Sequence, residues 1–326
     1  MARLLTLGAE EGNNQIFYSF AYDPSPFQHE VLTQYKRSGD YAYRSRRGWS
    51  QIYFGKSVDE VYARWGFLAD GSPGWCMYIG DGSSWNFRLY SQSVNLSIDA
   101  PSGTRRYDGT IITQVWYLLE FHIKNGSSDG IFEMKIGGKP VYSATGLNMG
   151  TNQMNRLYLT RNNDYNHFWF DDLAINDTSG SYNNSWCGDG HVLALKPNAA
   201  GDVTQLLPSS GANWQCVDEL PPDGGDATSG SIAGNYDLYN LEALSVNNVN
   251  INCVVPYFCG ACTVAEGYGV KSGIKTSGSE AWDEDKTYLH NNFWVYKFGD
   301  THDCKPDGTP WEESDIGSLQ IGCKLD

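Results

Sequence analysis

The sequence predicts an all-β chain built from two antiparallel sandwiches, and three observations carry that expectation. Apolar and polar residues alternate with period two in segment after segment, while helical periodicity is almost absent. Aromatic residues make up 14% of the 326 residues, with 21 Tyr and 11 Trp, and rings suit a pleated, half-buried surface. The 36 Gly, with many Asn, Asp and Ser, supply the turns that numerous short strands need.

Taken in order, the first candidate strands cover residues 16–22, 41–47 and 51–54. Ser57-Val-Asp-Glu60 then matches a helix capping box. Val61, Ala63, Trp65 and Phe67 nevertheless alternate strictly, and Gly66 would weaken a helix, so 61–67 reads as a strand. Strands follow at 75–79, 85–91 and 94–98. The clearest is 115–124, with Val115, Tyr117, Leu119, Phe121 and Ile123 on one face and Trp116, Leu118, Glu120, His122 and Lys124 on the other. The turn cluster 125–130 makes it a hairpin with 131–136, and Gly137-Gly138 turns the chain into 139–143. Strands at 156–160 and 167–175 complete the first half.

The stretch 176–185 is polar, turn-rich and nearly free of apolar residues, so it marks the expected boundary between domains 1–180 and 181–326. A similar loop at 220–230 lies inside the second half. Beyond it the expected strands are 236–241, 249–255, 268–274, 293–298 and 316–325.

Charge narrows the function classes. With Lys+Arg 23 against Asp+Glu 38, the net charge is −15, whereas a nucleic-acid binder needs cations to neutralise phosphates. The denser basic cluster, Arg44, Arg46 and Arg47, reads as a solvated strand face, with Arg105-Arg106 a weaker second. No long apolar run suits a bilayer, and the apolar stretch near Met1 is too short for a signal-peptide core. The expectation is a protein made in a cytoplasm. Eight cysteines fit a reducing compartment poorly, and a particle assembled inside a cell and released later reconciles the two.

Several pieces resemble known families. Trp116-Tyr-Leu-Leu-Glu-Phe-His-Ile123, Gly130-Ile-Phe-Glu-Met-Lys-Ile-Gly-Gly-Lys-Pro-Val141 and Phe168-Trp-Phe-Asp-Asp-Leu-Ala-Ile-Asn176 make residues 1–180 resemble the concanavalin A-like (laminin-G-like) jelly-roll domains. The opening Met1-Ala-Arg-Leu-Leu-Thr-Leu-Gly-Ala-Glu10 is similar to the start of a class of bacteriophage structural proteins. So are Gly188-Asp-Gly-His-Val-Leu-Ala-Leu-Lys-Pro-Asn-Ala-Ala-Gly-Asp-Val-Thr-Gln205, residues 210–219 and the closing Thr309-Pro-Trp-Glu-Glu-Ser-Asp-Ile-Gly-Ser-Leu-Gln-Ile-Gly322. Residues 253–302 depart from that class. The resemblance implies a concanavalin A-like jelly-roll sandwich followed by a second, smaller antiparallel β-sandwich. It also implies a virion surface protein, as capsid decoration, head fibre or tail-associated component.

Jelly-roll glycosidases of the laminarinase type alternate acids along one strand, as in Glu-x-Asp-x-Glu, and no such pattern occurs here. Asp283-Glu-Asp285 and Glu312-Glu-Ser-Asp315 fall in loop-like contexts. Asp171 and Asp172 are adjacent, which on a regular strand sends them to opposite faces, and one is expected to bond backbone groups. No serine-nucleophile, zinc-protease or phosphate-loop motif is present. The expectation is no enzyme and no cofactor; calcium would need clustered loop oxygens, and no loop has a diagnostic spacing.

Cys259-Gly-Ala-Cys262 has the spacing of a zinc knuckle, which Cys253, His302 and Cys304 could complete, but a second closely spaced pair is missing. Cys253, Cys259, Cys262, Cys304 and Cys323 are therefore expected as disulfide or structural cysteines, and Cys76 as a reduced core residue. Trp65, Trp116, Phe121 and Trp169 are core candidates. Trp49 and Trp85, beside small residues, are candidates for stacking on sugars. The expected partners are other virion proteins of the capsid or tail, further copies of the chain in a homo-oligomer, and a host surface glycan. A secreted carbohydrate-binding module is the alternative, and a polysaccharide-degrading enzyme the more distant one.

Overall fold

The computed structural model describes residues 2–12, 29–45, 48–71, 74–82, 84–92, 95–99, 105–161, 167–263, 268–291 and 293–326. The chain folds as two compact units, Met1–Leu193 and Ala194–Asp326. Among the described residues no helix is long and apolar enough to cross a membrane. The expected strand at 16–22 lies outside the described residues.

The first unit is an all-β jelly-roll sandwich. Its strands are β1 Arg3–Leu7, β2 His29–Leu32, β3 Ala42–Ser45, β4 Gly48–Val58, β5 Glu60–Asp70, β6 Gly74–Gly80 and β7 Trp85–Gln92. They continue as β8 Asn95–Asp99, β9 Arg105–Thr110, β10 Tyr117–Lys124, β11 Gly130–Ile136, β12 Lys139–Leu147, β13 Met154–Arg161 and β14 His167–Asn176. One sheet has the order β12-β11-β10-β5-β14-β3-β2, with β1 also on β14; the other runs β4-β13-β6-β7-β8-β9. Every pairing is antiparallel.

Alternation decides what the two sheets share. Leu119, Phe121 and Ile123 of β10 are fully buried, as are Val61, Trp65 and Phe67 of β5. From the other sheet come Ile52, Met77, Ile79, Phe87, Leu89, Leu157 and Leu159, also fully buried. The rings meet across the gap: Phe87 of β7 lies 4.6 Å from Phe121 and 6.1 Å from both Trp65 and Phe132. Trp169 is buried with Ala42 and Leu68, and Trp116 packs partly buried against that cluster. The segment after the capping-box pattern is a strand, because burying Val61, Ala63 and Trp65 against the facing sheet outweighs the local helix signal.

The first unit runs past the expected break at 180. Asn176 Nδ2 donates to Ser185 O at 2.8 Å, Gly188 N to Glu120 Oε1 at 3.1 Å, and Val192 N to Asp172 Oδ1 at 2.8 Å. Residues 181–193 thus satisfy buried groups of β10 and β14, and the polar stretch 176–185 is a surface loop of this unit.

The second unit holds β15 Pro197–Thr204, β16 Leu207–Pro208, β17 Thr228–Ser229, β18 Tyr236–Leu241, β19 Tyr257–Gly260 and β20 Gly269–Thr276. β21 Ser279–Trp282, β22 Thr287–Tyr288, β23 Val295–Phe298 and β24 Gln320–Leu325 follow. A six-stranded sheet takes the order β15-β18-β24-β20-β21 with β22 on β20, and β16-β17 and β19-β23 form two-stranded ribbons. Its core gathers Ile274, Trp311, Ile316 and Leu319, with Leu241, Ile251 and Val254 packed alongside. Two expected strands are corrected here. Of 249–255 only Val254 forms a bridge, to His302, because Ile251 and Val254 reach the core from a loop. Residues 316–325 begin in the 3-10 helix Glu313–Ser318, and the strand starts at Gln320.

Candidate functional site

The outer face of the first unit's sheet β4-β13-β6-β7-β8-β9 concentrates the side chains that could hold a ligand. Since Ile52, Leu157, Ile79 and Phe87 point into the core, their strand neighbours point outward. The register then aligns one row across five strands: Gln51 on β4, Tyr158 on β13, Tyr78 on β6, Arg88 on β7 and Asp99 on β8. Tyr78 and Tyr158 stack with centroids 4.0 Å apart and planes 11° from parallel. Burial pushes the Tyr78 hydroxyl up to about 12 and raises that of Tyr158, so both are neutral hydrogen-bond donors at physiological pH.

Arginines flank the ring pair. Arg156, two residues before Tyr158, sits opposite Tyr53. Its Nη1 donates to Gln51 Oε1 at 2.6 Å, and its guanidinium lies 5.8 Å from the Tyr53 ring centre. Arg88 lies 4.1 Å over the Trp85 ring and pairs with Asp99 at 3.5 Å. Tyr53 is 46% exposed. The β6–β7 hairpin closes one end, where Ser84 N and Oγ donate to Asp81 Oδ1 at 2.7 and 3.1 Å. Gly82, at φ +100°, turns there so tightly that a Cβ would stand 3.1 Å from both Arg156 Nη1 and Tyr158 Oη. Flat rings, an amide and guanidinium forks together suit a polyhydroxylated ligand, since rings cover its apolar face while fixed donors and acceptors meet its hydroxyls.

The paired aspartates serve structure instead. Asp172 takes φ +52° at a register shift between Asp171 and Ala174, so the adjacent pair does not diverge as a regular strand requires. Both are fully buried and turn toward the same loop. Asp171 Oδ2 accepts Arg37 N at 3.1 Å and Ser38 N at 3.4 Å. Asp172 accepts Arg37 Nη1 at 2.6 Å, Ser38 Oγ at 2.8 Å and Val192 N at 2.8 Å. Burial, then the Asp172 charge, pushes Asp171 well above the ordinary carboxyl range. On the opposite sheet's outer face, His122 is clamped between Glu60 (Nε2, 2.7 Å) and Glu133 (Nδ1, 2.8 Å) and stacks on Tyr62 at 4.1 Å. The His122 bond holds Glu133 below its usual value.

All eight cysteines are thiols in the structure. Cys323 on β24 lies between Asp237 and Ser272, and Cys259 on β19 faces Tyr296, so neither has a cysteine across the strand. Burial pushes these thiols up to about 12 and about 11. Cys262 Sγ donates to Leu289 O at 3.5 Å, and Cys304 is raised by burial and then by Asp303. Cys253 adjoins the Val254–His302 bridge. Among the described residues, no three His, Cys, Asp or Glu converge as metal ligands. Cys76 is fully buried in β6. The Trp49 side chain lies outside the described residues.

No protein-family model matches the sequence, and no curated protein matches it. Among solved structures the chain is similar to domain 4 of AbnA, a GH43 extracellular arabinanase from Geobacillus stearothermophilus. The identity is 13% and the TM-score 0.39, over 54% of this chain and 92% of that one. A sialidase aligns at 9% identity and TM-score 0.36 over 55% of this chain, which spans only 19% of the sialidase. Peanut lectin aligns at 6% and 0.32, over 48% of this chain and 94% of the lectin. Likeness at these TM-scores says nothing of ligand or reaction, and the fold stands on the chain's own sheet order.

Gln51, Arg156, Tyr158 and Tyr78 were missed by motif reasoning because no spacing links them. The signal that would have found them is the non-core half of the alternation. Gln51-Ile-Tyr53 and Arg156-Leu-Tyr158 each place a polar residue and an aromatic on the face that a core does not need. Trp85, a candidate for stacking on sugar, is instead half-buried beneath Arg88.

Proposed function

We propose that this chain is a non-enzymatic, glycan-contacting protein of a virion surface, and that the glycan lies against the partly exposed Tyr53, Tyr78, Arg88 and Arg156, with the buried Gln51 and Tyr158 holding Arg156 and Tyr78 in place. The carrying observation is this cluster: two stacked, neutral tyrosines flanked by an amide and two guanidinium groups on one sheet face. The virion setting is supported by the resemblance of residues 188–205, 210–219 and 309–322 to phage structural proteins. In that setting the partners are capsid or tail proteins and further copies of the chain, whose homo-oligomer would multiply weak glycan contacts. Absence of catalysis is supported by the described carboxylates of the face, each of which is engaged: Asp81 by Ser84, Asp99 by Arg88 and Asp108 by Ser97.

Affinity electrophoresis of the purified chain through a panel of neutral and acidic polysaccharides tests the reading. At least one polymer should retard it, and Tyr53→Ala or Tyr78→Ala should weaken retardation tenfold or more with an unchanged circular dichroism spectrum. No polymer should release reducing ends. Retardation by none, or wild-type retardation of both variants, overturns glycan binding. Polymer cleavage that a single substitution on the face abolishes overturns the non-enzymatic reading. Mass spectrometry of purified particles that lack the chain overturns the virion setting.

A further inference from the structure

We infer that Arg156 reads an anionic group, and that the glycan taken by this face carries a sugar carboxylate of the uronate or sialate type. The inference rests on the glycan reading and names its ligand class. Among the described residues two cations stand on the face, and they differ. Arg88 already has the Asp99 carboxylate at 3.5 Å. Arg156 has no carboxylate within ion-pair distance among the described residues, and its Nε is buried without a hydrogen-bond partner there. Gln51 Oε1 occupies Nη1, and the Tyr158 hydroxyl is a second side-chain neighbour of the guanidinium.

A partly buried guanidinium with an orphaned N–H is costly. Leaving a buried donor unmade carries the full cost of its desolvation, and more when the group is charged. An incoming anion removes that penalty and gains charge-assisted bonds. The geometry of the remaining donors selects the anion. With Nη1 held by Gln51, the remaining donors are Nε and Nη2, whose parallel N–H bonds form the fork that matches the two oxygens of a planar carboxylate. Gln51, 5% exposed, fixes the orientation of that fork and is a positioning residue. Gly82 brings the hairpin backbone against the same cation: a Cβ there would stand 3.1 Å from Nη1 and from Tyr158 Oη, so any larger residue at 82 would crowd the guanidinium. The net charge of −15 repels a polyanion at long range; attraction must come from a fixed local cation rather than from a diffuse positive field.

The decisive comparison is polygalacturonate and alginate oligosaccharides against the same oligosaccharides after carboxyl reduction, by isothermal titration calorimetry with the wild-type chain at two salt concentrations. The carboxylated forms should bind at least tenfold more tightly, and the advantage should shrink at higher salt. Arg156→Lys keeps the charge but loses the fork and should weaken carboxylate binding about tenfold; Arg156→Gln should abolish the difference between native and reduced forms. Equal binding of native and reduced oligosaccharides overturns the inference while the glycan reading stands. Dextran sulfate binding as tightly as the uronates overturns the choice of carboxylate. Binding of no carbohydrate, neutral or acidic, takes down the glycan reading and this inference with it. The wild-type comparison needs no variant, so misfolding of an Arg156 substitution cannot obscure the result.

Discussion

Glu11 lies buried beside the Tyr43 hydroxyl, which donates to it. Burial is the main cause that pushes its carboxyl up to about 8. Such a group binds its proton more tightly in the fold than in the unfolded chain, where it titrates near 4.5. Its stabilising contribution is therefore full below about pH 4.5 and drains away as pH rises through 8. Asp171 is raised in the same direction by burial and Asp172. Glu133 acts oppositely: its carboxyl is depressed by His122, so its contribution is present above the unfolded value and is lost as pH falls through the folded one. The first unit should accordingly lose melting temperature from pH 5 to pH 9. Glu11→Gln should flatten that decline, measured by differential scanning calorimetry across the range. Parallel slopes for the two proteins would contradict the assignment. None of this was legible beforehand, because Glu10-Glu11 sits in a turn whose burial depends on Tyr43 and Asp40, thirty residues away in sequence.

At the scale of elements, the strands of the sandwich were the most legible part, because period-two alternation is a direct consequence of having one face on a core. Residues 115–124 assign Leu119, Phe121 and Ile123 inward, and β10 buries those three. Alternation misleads where the backbone departs from the regular pleat. At Asp171–Ala174 the register shift and the positive φ of Asp172 bring both carboxylates onto the Arg37–Ser38 loop. It misleads again at 249–255, where apolar residues fill the core from a loop. Phe87 tests the sandwich as a packed object. It is fully buried and meets Trp65, Phe121 and Phe132 of the opposite sheet. Phe87→Ala should cost about 3–5 kcal/mol through lost transfer energy and the cavity left behind. Urea unfolding followed by tryptophan fluorescence reads that loss as a lower midpoint with an unchanged slope. A loss below about 1 kcal/mol would mean that the two sheets do not meet at this ring.

For the whole molecule, the sequence placed the domain break in its most polar stretch, and polarity alone cannot tell a linker from a loop that folds back. The distinction lies in what the next residues satisfy. Residues 185, 188 and 192 meet Asn176, Glu120 and Asp172, all buried. Val192 also lies so close to Gly8 that a Cβ there would stand 2.6 Å from its own; a glycine at that point lets the returning segment pack against the strand β1 region. Arg64, itself buried, donates through Nη1 to Gly188 O at 3.3 Å, and Arg37 through Nη1 to Gly190 O at 3.1 Å. Cutting after residue 180 removes every one of these acceptors and donors while leaving their buried partners in place. A chain of residues 1–193 should therefore fold alone, with one cooperative unfolding transition. A chain of residues 1–180 should lose several kcal/mol, since each buried polar group left unmade costs about 1–3 kcal/mol. Expressing both and comparing urea midpoints decides the boundary: equal midpoints would return it to residue 180, and failure of 1–193 to fold would show that the first unit depends on the second.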